Sequence, residues 1–387
     1  MTISQQFNDH LLALWNDASL KTPAFVYDEK AIQEKLAILT SFRQSSGCRI
    51  LYSVKALSFS GLLAEVAPIV DGFSVSSAFE GRLADEVLGG RGSIHLTSPG
   101  IKPTDLDMVA EYCNYVSFNS LSQWRHYYPA LGHLHCGLRI NPGLSFAGDE
   151  RYDPCRPASK LGVPLNILRD GQALPASLKG LHIHNNCESR DLGELVASLD
   201  QLLISYPTLF HSIEWLNLGG GYLFEQLADL APLERKVRQL KEDYKLEMFF
   251  EPGKAIVGAA GYLVASVIDL FESGNRTIAV VDTTVNHLPE VFEYQYRPLL
   301  LQDSSQGKYR YRIAGASCLS GDMFGDYCFD HTLTIGSKVI IANVGAYMMV
   351  KANMFNGINL PAVYALDSTG RIRLQKEFDY SHYRDRL

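Results

Sequence analysis

The sequence predicts an α/β protein: a (β/α)8 barrel of the TIM type, joined to a C-terminal β domain that also takes in an N-terminal strand. Three observations predict it. Short apolar runs alternate with amphipathic segments through most of the chain, as parallel βαβ units require. That alternation stops after Gly258, where apolar runs follow one another directly. At 387 residues the chain is longer than the roughly 200–250 that a barrel needs, which leaves room for a second domain.

The barrel strands are expected in order at "ILYSV" from Ile50, "GFSV" from Gly72, "SIHL" from Ser93, "YVSF" from Tyr115 and "HCGLRI" from His135. After a longer insertion, "NPGLSFAGDERYDPCRPASKLG", come "LKGLHIH" from Leu178, "EWLNLG" from Glu214 and "LEMFFE" from Leu246. The length of the insertion points to a functional loop. Between strands lie amphipathic segments such as "SAFEGRLADEVLG", where Phe79, Leu83 and Val87 recur at i, i+4 and i+8 as the apolar face of a helix. Beyond the barrel, "GYLVASVIDLFES", "RTIAVVD", "YRYRIAG" and "SKVIIANVGAYMMV" read as β-rich without clear helices. "TPAFVYD" is a strand placed to join them. The domains are therefore expected at residues 30–260 for the barrel, and at 1–29 with 261–387 for the β-rich domain.

A formal net charge of −7 and a pI near 5.9 argue against a nucleic-acid binder and suit a cationic ligand. The seven cysteines are scattered, odd in number and form no CxxC pair, a pattern of free thiols in a reducing compartment. No signal-peptide pattern opens the chain, and no run reaches the ~18 apolar residues that span a bilayer. These features are expected of a cytoplasmic protein that binds neither membrane nor nucleic acid.

In such a barrel the active site forms at the C-terminal ends of the strands. There the sequence places Lys55, Ser74, Ser76, Arg139, His182, His184, Gly219, Gly220, Gly221 and Glu251. Lys55 alone is either a rim lysine with its stem on the barrel or a Schiff-base amine. The "GGG" after the seventh strand is either a tight turn or a set of backbone N–H groups aimed at an anion. His182 and His184, two apart on one strand, share a face. They are a metal pair, an imidazole laid on an aromatic cofactor, or satisfied core histidines. A seventh strand ending in glycines and an eighth in Glu251 complement zinc poorly. Glu251 can keep a pyridine nitrogen protonated or pair with Lys254 at the surface. In the β domain, Cys318 is a general acid or a buried thiol, and Asp322 and Asp326 receive an amine or solvate a loop.

Taken together, "YSVKA", "HIHNNC", "LGGGY", "EPGK", "CLSGD" and "GAY" resemble, in order and spacing, the motifs of the fold-type III pyridoxal phosphate-dependent decarboxylases. That family shares the alanine racemase-like barrel and includes the ornithine, arginine and diaminopimelate enzymes. The resemblance implies pyridoxal 5'-phosphate as cofactor and no metal. It makes Lys55 the cofactor-anchoring lysine, His184 the ring stacked on it, Gly219, Gly220 and Gly221 the phosphate loop and Glu251 the partner of the pyridine nitrogen. Arg139 and Tyr347 join the cofactor contacts, Tyr347 near the phosphate. Lys55, His184 and Cys318 form the catalytic set, with Cys318 returning a proton to Cα. Within the family, "SCLSGD", "FEYQYRP" and "HNNCE" are similar to the carboxynorspermidine/carboxyspermidine decarboxylase branch. That implies a small cationic carboxylated polyamine as substrate, received by Glu293 and Asp322, and norspermidine or spermidine plus CO2 as products of polyamine biosynthesis. It also implies a homodimer with shared active sites, Cys318 and Asp322 being supplied in trans.

Three positions depart from the wider pattern. Ser74 replaces the usual aspartate, Cys187 a serine, and Lys254 an arginine, which would offer phosphate a point charge without a bidentate fork. The rival readings are a diaminopimelate- or ornithine-type decarboxylase, a racemase on the same barrel, a binding homologue without catalysis and a metal-dependent hydrolase. Retention of Lys55, His184, the glycine triplet and Glu251 argues against the binding homologue.

Overall fold

A computed structural model describes residues 11–169, 174–227 and 229–387. The chain forms two compact units, one of residues 35–255, the other of the segments up to Glu34 and from Ile256 onward.

In the first unit eight parallel strands close a barrel: Arg49–Ser53, Gly72–Val75, Ser93–Ser98, Tyr115–Phe118, His135–Asn141, Gly180–Ile183, Trp215–Asn217 and Glu247–Phe250. Closure runs through Phe249 beside Arg49 on one side and Tyr115 beside His135 on the other. Strands buried on both faces read as continuous apolar runs, which is why each was visible in the sequence. The lower interior is filled by Leu51, Trp215 and Phe249, with Tyr115 packed against them. Trp215 fits only because Gly137 and Gly180 face it. A Cβ at Gly180 would lie 2.0 Å from the indole.

Ala78–Leu88 is helical as expected, opened by the Ser77 hydroxyl accepting the Glu80 N–H and closed by Gly89 at φ +56°. Its buried face is different from the one the spacing suggested. Ala78, Gly81, Ala84 and Leu88 turn inward, while Phe79 is 78% exposed. Small side chains win the inner face because the neighbouring helix comes close. A Cβ on Gly81 would lie 3.3 Å from Cys113 Sγ.

The second unit is built on an eight-stranded mixed sheet. Ala24–Asp28 joins it as expected, antiparallel to Gly261–Ser273 and parallel to Ala362–Leu366. Two segments depart from the expected β structure. Pro289–Tyr294 is a short helix, with the proline in its first turn. In "SKVIIANVGAYMMV" the strand stops at Ala342, Asn343 and Tyr347 take positive φ, and Met348–Lys351 is helical. Gly345 lets the chain pass close to Val257, since a Cβ there would lie 1.8 Å from the Val257 carbonyl oxygen.

Candidate active site

Parallel strands deliver their last residues to one rim, and five strand ends converge there. Lys55 sits in a single helical turn, Val54–Ala56, directly after the first barrel strand. Arg139 lies in the fifth strand, and His182 and His184 lie in and just after the sixth. The glycine triplet follows the seventh strand and Glu251 the eighth. The Ser53 N–H donates to the Pro252 carbonyl at 3.0 Å, which docks the Glu251 turn against the Lys55 turn.

Lys55 is open to water within the barrel mouth, yet protein packs around it on the other sides. That desolvation, with help from Arg139, lowers its ammonium below the ordinary lysine value, against the opposing pull of Glu251. A lowered amine is a nucleophile in waiting. Glu251 is 6% exposed. Burial pushes its carboxyl up, but His182 and Lys55 outweigh it and hold the group well below the usual carboxylate range. His182 Nε2 lies 3.2 Å from Glu251 Oε2, and Asn217 Nδ2 donates to Glu251 Oε1 at 2.8 Å. Desolvation keeps His182 neutral, so its Nε2–H is the donor. The other ring nitrogen, Nδ1, is buried without a partner.

His184 is half-buried, its ring within 16° of parallel to that of His182. It accepts the Gly220 N–H on Nδ1 at 3.2 Å, which assigns its proton to Nε2. Desolvation, reinforced by Lys55 and Arg139, keeps it neutral. The glycines are required by contact. A Cβ at Gly219 would lie 2.6 Å from His184 Nδ1, at Gly220 2.4 Å from the Glu251 carbonyl oxygen, and at Gly221 2.3 Å from that of Asn186. Gly219 and Gly220 spend their N–H groups inside the protein, on Asn217 Oδ1 and His184 Nδ1. The third, Gly221, is the triplet's candidate anion donor.

The structure thus brings Lys55, Arg139, His184, the glycine triplet and Glu251 to one rim. In the second unit, Cys318 is exposed, its N–H donating to Asn356 Oδ1 at 2.8 Å. Tyr347 is half-buried at φ +67°, a strained conformation for a bulky residue. Glu293 is exposed and pairs with Lys351 at 3.1 Å, beside Glu290. Asp322, expected to receive a substrate amine, lies among backbone and side-chain donors of its own unit. It is 2% exposed, and its oxygens accept the Val285 N–H at 2.7 Å and the Ser317 N–H and hydroxyl at 3.0 and 2.5 Å. It braces the loop that carries Cys318.

Lys254 is ion-paired with Glu188, itself at φ +54°. Sequence reading missed Glu188, Glu80 and Asn217. Glu80, whose carboxylate accepts the Ser76 N–H at 2.7 Å, is raised by burial and feels the charge of Lys55. "SAFE" reads as a helix cap and hides it. Asn217 is a polar strand end, and the strand-end rule applied strictly would have found it.

The donor set fits pyridoxal phosphate: an amine for the aldehyde, an ionised carboxylate for a ring nitrogen, a flat neutral imidazole and a close-approach turn. His182, His184 and Glu251 also bring one ligand atom each within 4.8 Å of one another. A metal ion there would face the charges of Lys55 and Arg139.

The family model for pyridoxal-dependent decarboxylases, C-terminal sheet domain, matches residues 24–345. A carboxyaminopropylagmatine decarboxylase of Synechocystis is 35% identical over 96% of this chain and 96% of its own. A carboxynorspermidine/carboxyspermidine decarboxylase of Herminiimonas arsenicoxydans is 31% identical over 94% and 98%. The crystal structure of carboxynorspermidine decarboxylase from Campylobacter jejuni, complexed with norspermidine, superposes with a TM-score of 0.86 at 28% identity, covering 95% of this chain and all of the other.

Proposed function

Because this chain belongs to the pyridoxal-dependent decarboxylase family, we propose that it removes CO2 from carboxynorspermidine or carboxyspermidine, yielding norspermidine or spermidine in polyamine biosynthesis. The observation that carries this reading is the rim on which a lowered amine, Lys55, faces an ionised carboxylate, Glu251, in a chain whose relatives are named decarboxylases of carboxylated polyamines.

Pyridoxal phosphate, when bound, supplies a sink for the electron pair left as the carboxylate departs. The chain does the rest. Lys55 offers the amine that anchors the aldehyde, and Arg139 adds positive charge beside it. Glu251, kept charged by its two donors, accepts the ring N–H and opposes its loss. His184 lends a neutral ring face. The Gly221 amide and Tyr347 would hold the phosphate, and Lys254, paired with Glu188, would offer it a point charge. Cys318 returns the proton to Cα. Glu293 receives an ammonium of the polyamine arm.

Two further parts of the proposal are assembly and compartment. We place the chain in a homodimer that supplies Cys318 in trans, and in the cytoplasm. Exposed Phe292, Tyr296, Met323 and Phe355 in the sheet unit support association. Free thiols support a reducing compartment. Among the described residues no helix is long and apolar enough to cross a membrane.

The Synechocystis relative favours a second substrate, carboxyaminopropylagmatine, whose arm would end in a guanidinium. One assay tests both readings: CO2 release from the three carboxylated polyamines beside lysine, ornithine and diaminopimelate. Turnover on a carboxylated polyamine supports the proposal. Turnover confined to the amino acids overturns it.

A further inference from the structure

Asn217 ends the seventh barrel strand and is completely buried. Its amide is used at both ends. Nδ2 donates to Glu251 Oε1 at 2.8 Å, and Oδ1 accepts the Gly219 N–H at 2.8 Å. The backbone closes the circuit, because the Glu251 N–H donates to the Gly219 carbonyl at 2.7 Å. The next amide, Gly220, donates to His184 Nδ1. Carboxylate, glycine turn and imidazole are therefore one connected array with Asn217 at its centre.

The choice of residue follows from what the array needs. The planar amide presents a donor to the carboxylate and an acceptor to the N–H at the same time. The turn cannot brace itself, since Cβ atoms at Gly219 and Gly220 would strike His184 and the Glu251 carbonyl. Gly219 is held at φ +63° by its surroundings. Both polar atoms of the Asn217 amide are paired, and breaking such buried hydrogen bonds is costly.

We propose that Asn217 is a positioning residue that couples Glu251 to the glycine turn and, through it, to His184. The ring end and the phosphate end of the cofactor are then gripped by one array instead of two independent contacts. The inference rests on the reading of Glu251 and the glycine turn as cofactor contacts. Loss of the amide removes one of the two donors that hold Glu251 ionised and leaves the Gly219 N–H without its acceptor. Both grips loosen together.

The test uses the full chain reconstituted with pyridoxal phosphate and, separately, with pyridoxal, which lacks the phosphate. Asn217→Leu keeps the volume and removes both hydrogen bonds. It is expected to weaken pyridoxal phosphate binding roughly ten- to a hundredfold and to shift the pH profile of the bound cofactor's absorbance. It should also shrink the ratio of the two dissociation constants several-fold, because the phosphate is gripped less well. Asn217→Ser, whose shorter hydroxyl loses the two-ended amide but stays polar, falls between and replaces the leucine variant if that fails to fold. An unchanged ratio and pH profile, whatever the melting temperature, overturns the coupling. Glu251→Gln is run in parallel. If it too leaves affinity and pH profile unchanged, the reading of Glu251 is what has failed.

Discussion

His182 Nε2 lies 3.2 Å from Glu251 Oε2, with His182 1% and Glu251 6% exposed. A carboxylate this deep survives as an ion only with donors in place, and His182 and Asn217 are those donors.

Glu251→Gln removes the charge and keeps the shape. The bound ring should lose its nitrogen proton at lower pH, visible as a shift in the pH titration of the cofactor's absorbance. Turnover should fall on the order of a hundredfold or more, the scale of a positioned proton-holding group. Wild-type turnover in the variant would remove Glu251 from the mechanism.

Burial pushes His95, stacked 4.0 Å from Tyr115, down to about 3. Between about 6.5 and 3 the unfolded chain binds a proton that the folded chain refuses. This group's contribution is therefore complete above the unfolded value and is lost as pH falls through that window. His95→Phe should flatten the acid side of the stability profile by up to about 1.4 kcal/mol per pH unit, read from denaturant titrations at stepped pH. An identical slope in the variant would contradict the assignment.

Gly180→Ala should destabilise the barrel by ~1–3 kcal/mol through overpacking against Trp215. Trp215→Phe in the same chain should recover part of that loss, because the two sites share one space. Simple additivity of the two changes would argue against the contact.

Cys318→Ala should keep the cofactor's colour and lose turnover by ~10²–10⁴-fold. Asp322→Asn should change the rate at which a thiol reagent modifies Cys318, because it unseats the loop that Ser317 and Val285 hold. Full turnover in the alanine variant would exclude the proton-return role, and an unchanged thiol rate would exclude the brace.

The barrel was legible because its strands are buried on both faces and leave unbroken apolar runs, and the rim followed from the rule that strand ends carry the chemistry. The buried face of Ala78–Leu88 was not legible. Spacing marks Phe79 as apolar but says nothing of a helix close enough to demand Gly81 and Ala84. The six residues of Pro289–Tyr294 are too few to show a helical period. Asn217 was missed because its partner Glu251 lies 34 residues away, and only the folded chain reveals which way such a side chain turns.

The most direct test is to reduce the reconstituted chain with borohydride, digest it and map the phosphopyridoxyl group by mass. A single adduct is expected, on Lys55 in "ILYSVKALS". An adduct on another lysine, or none, would contradict it.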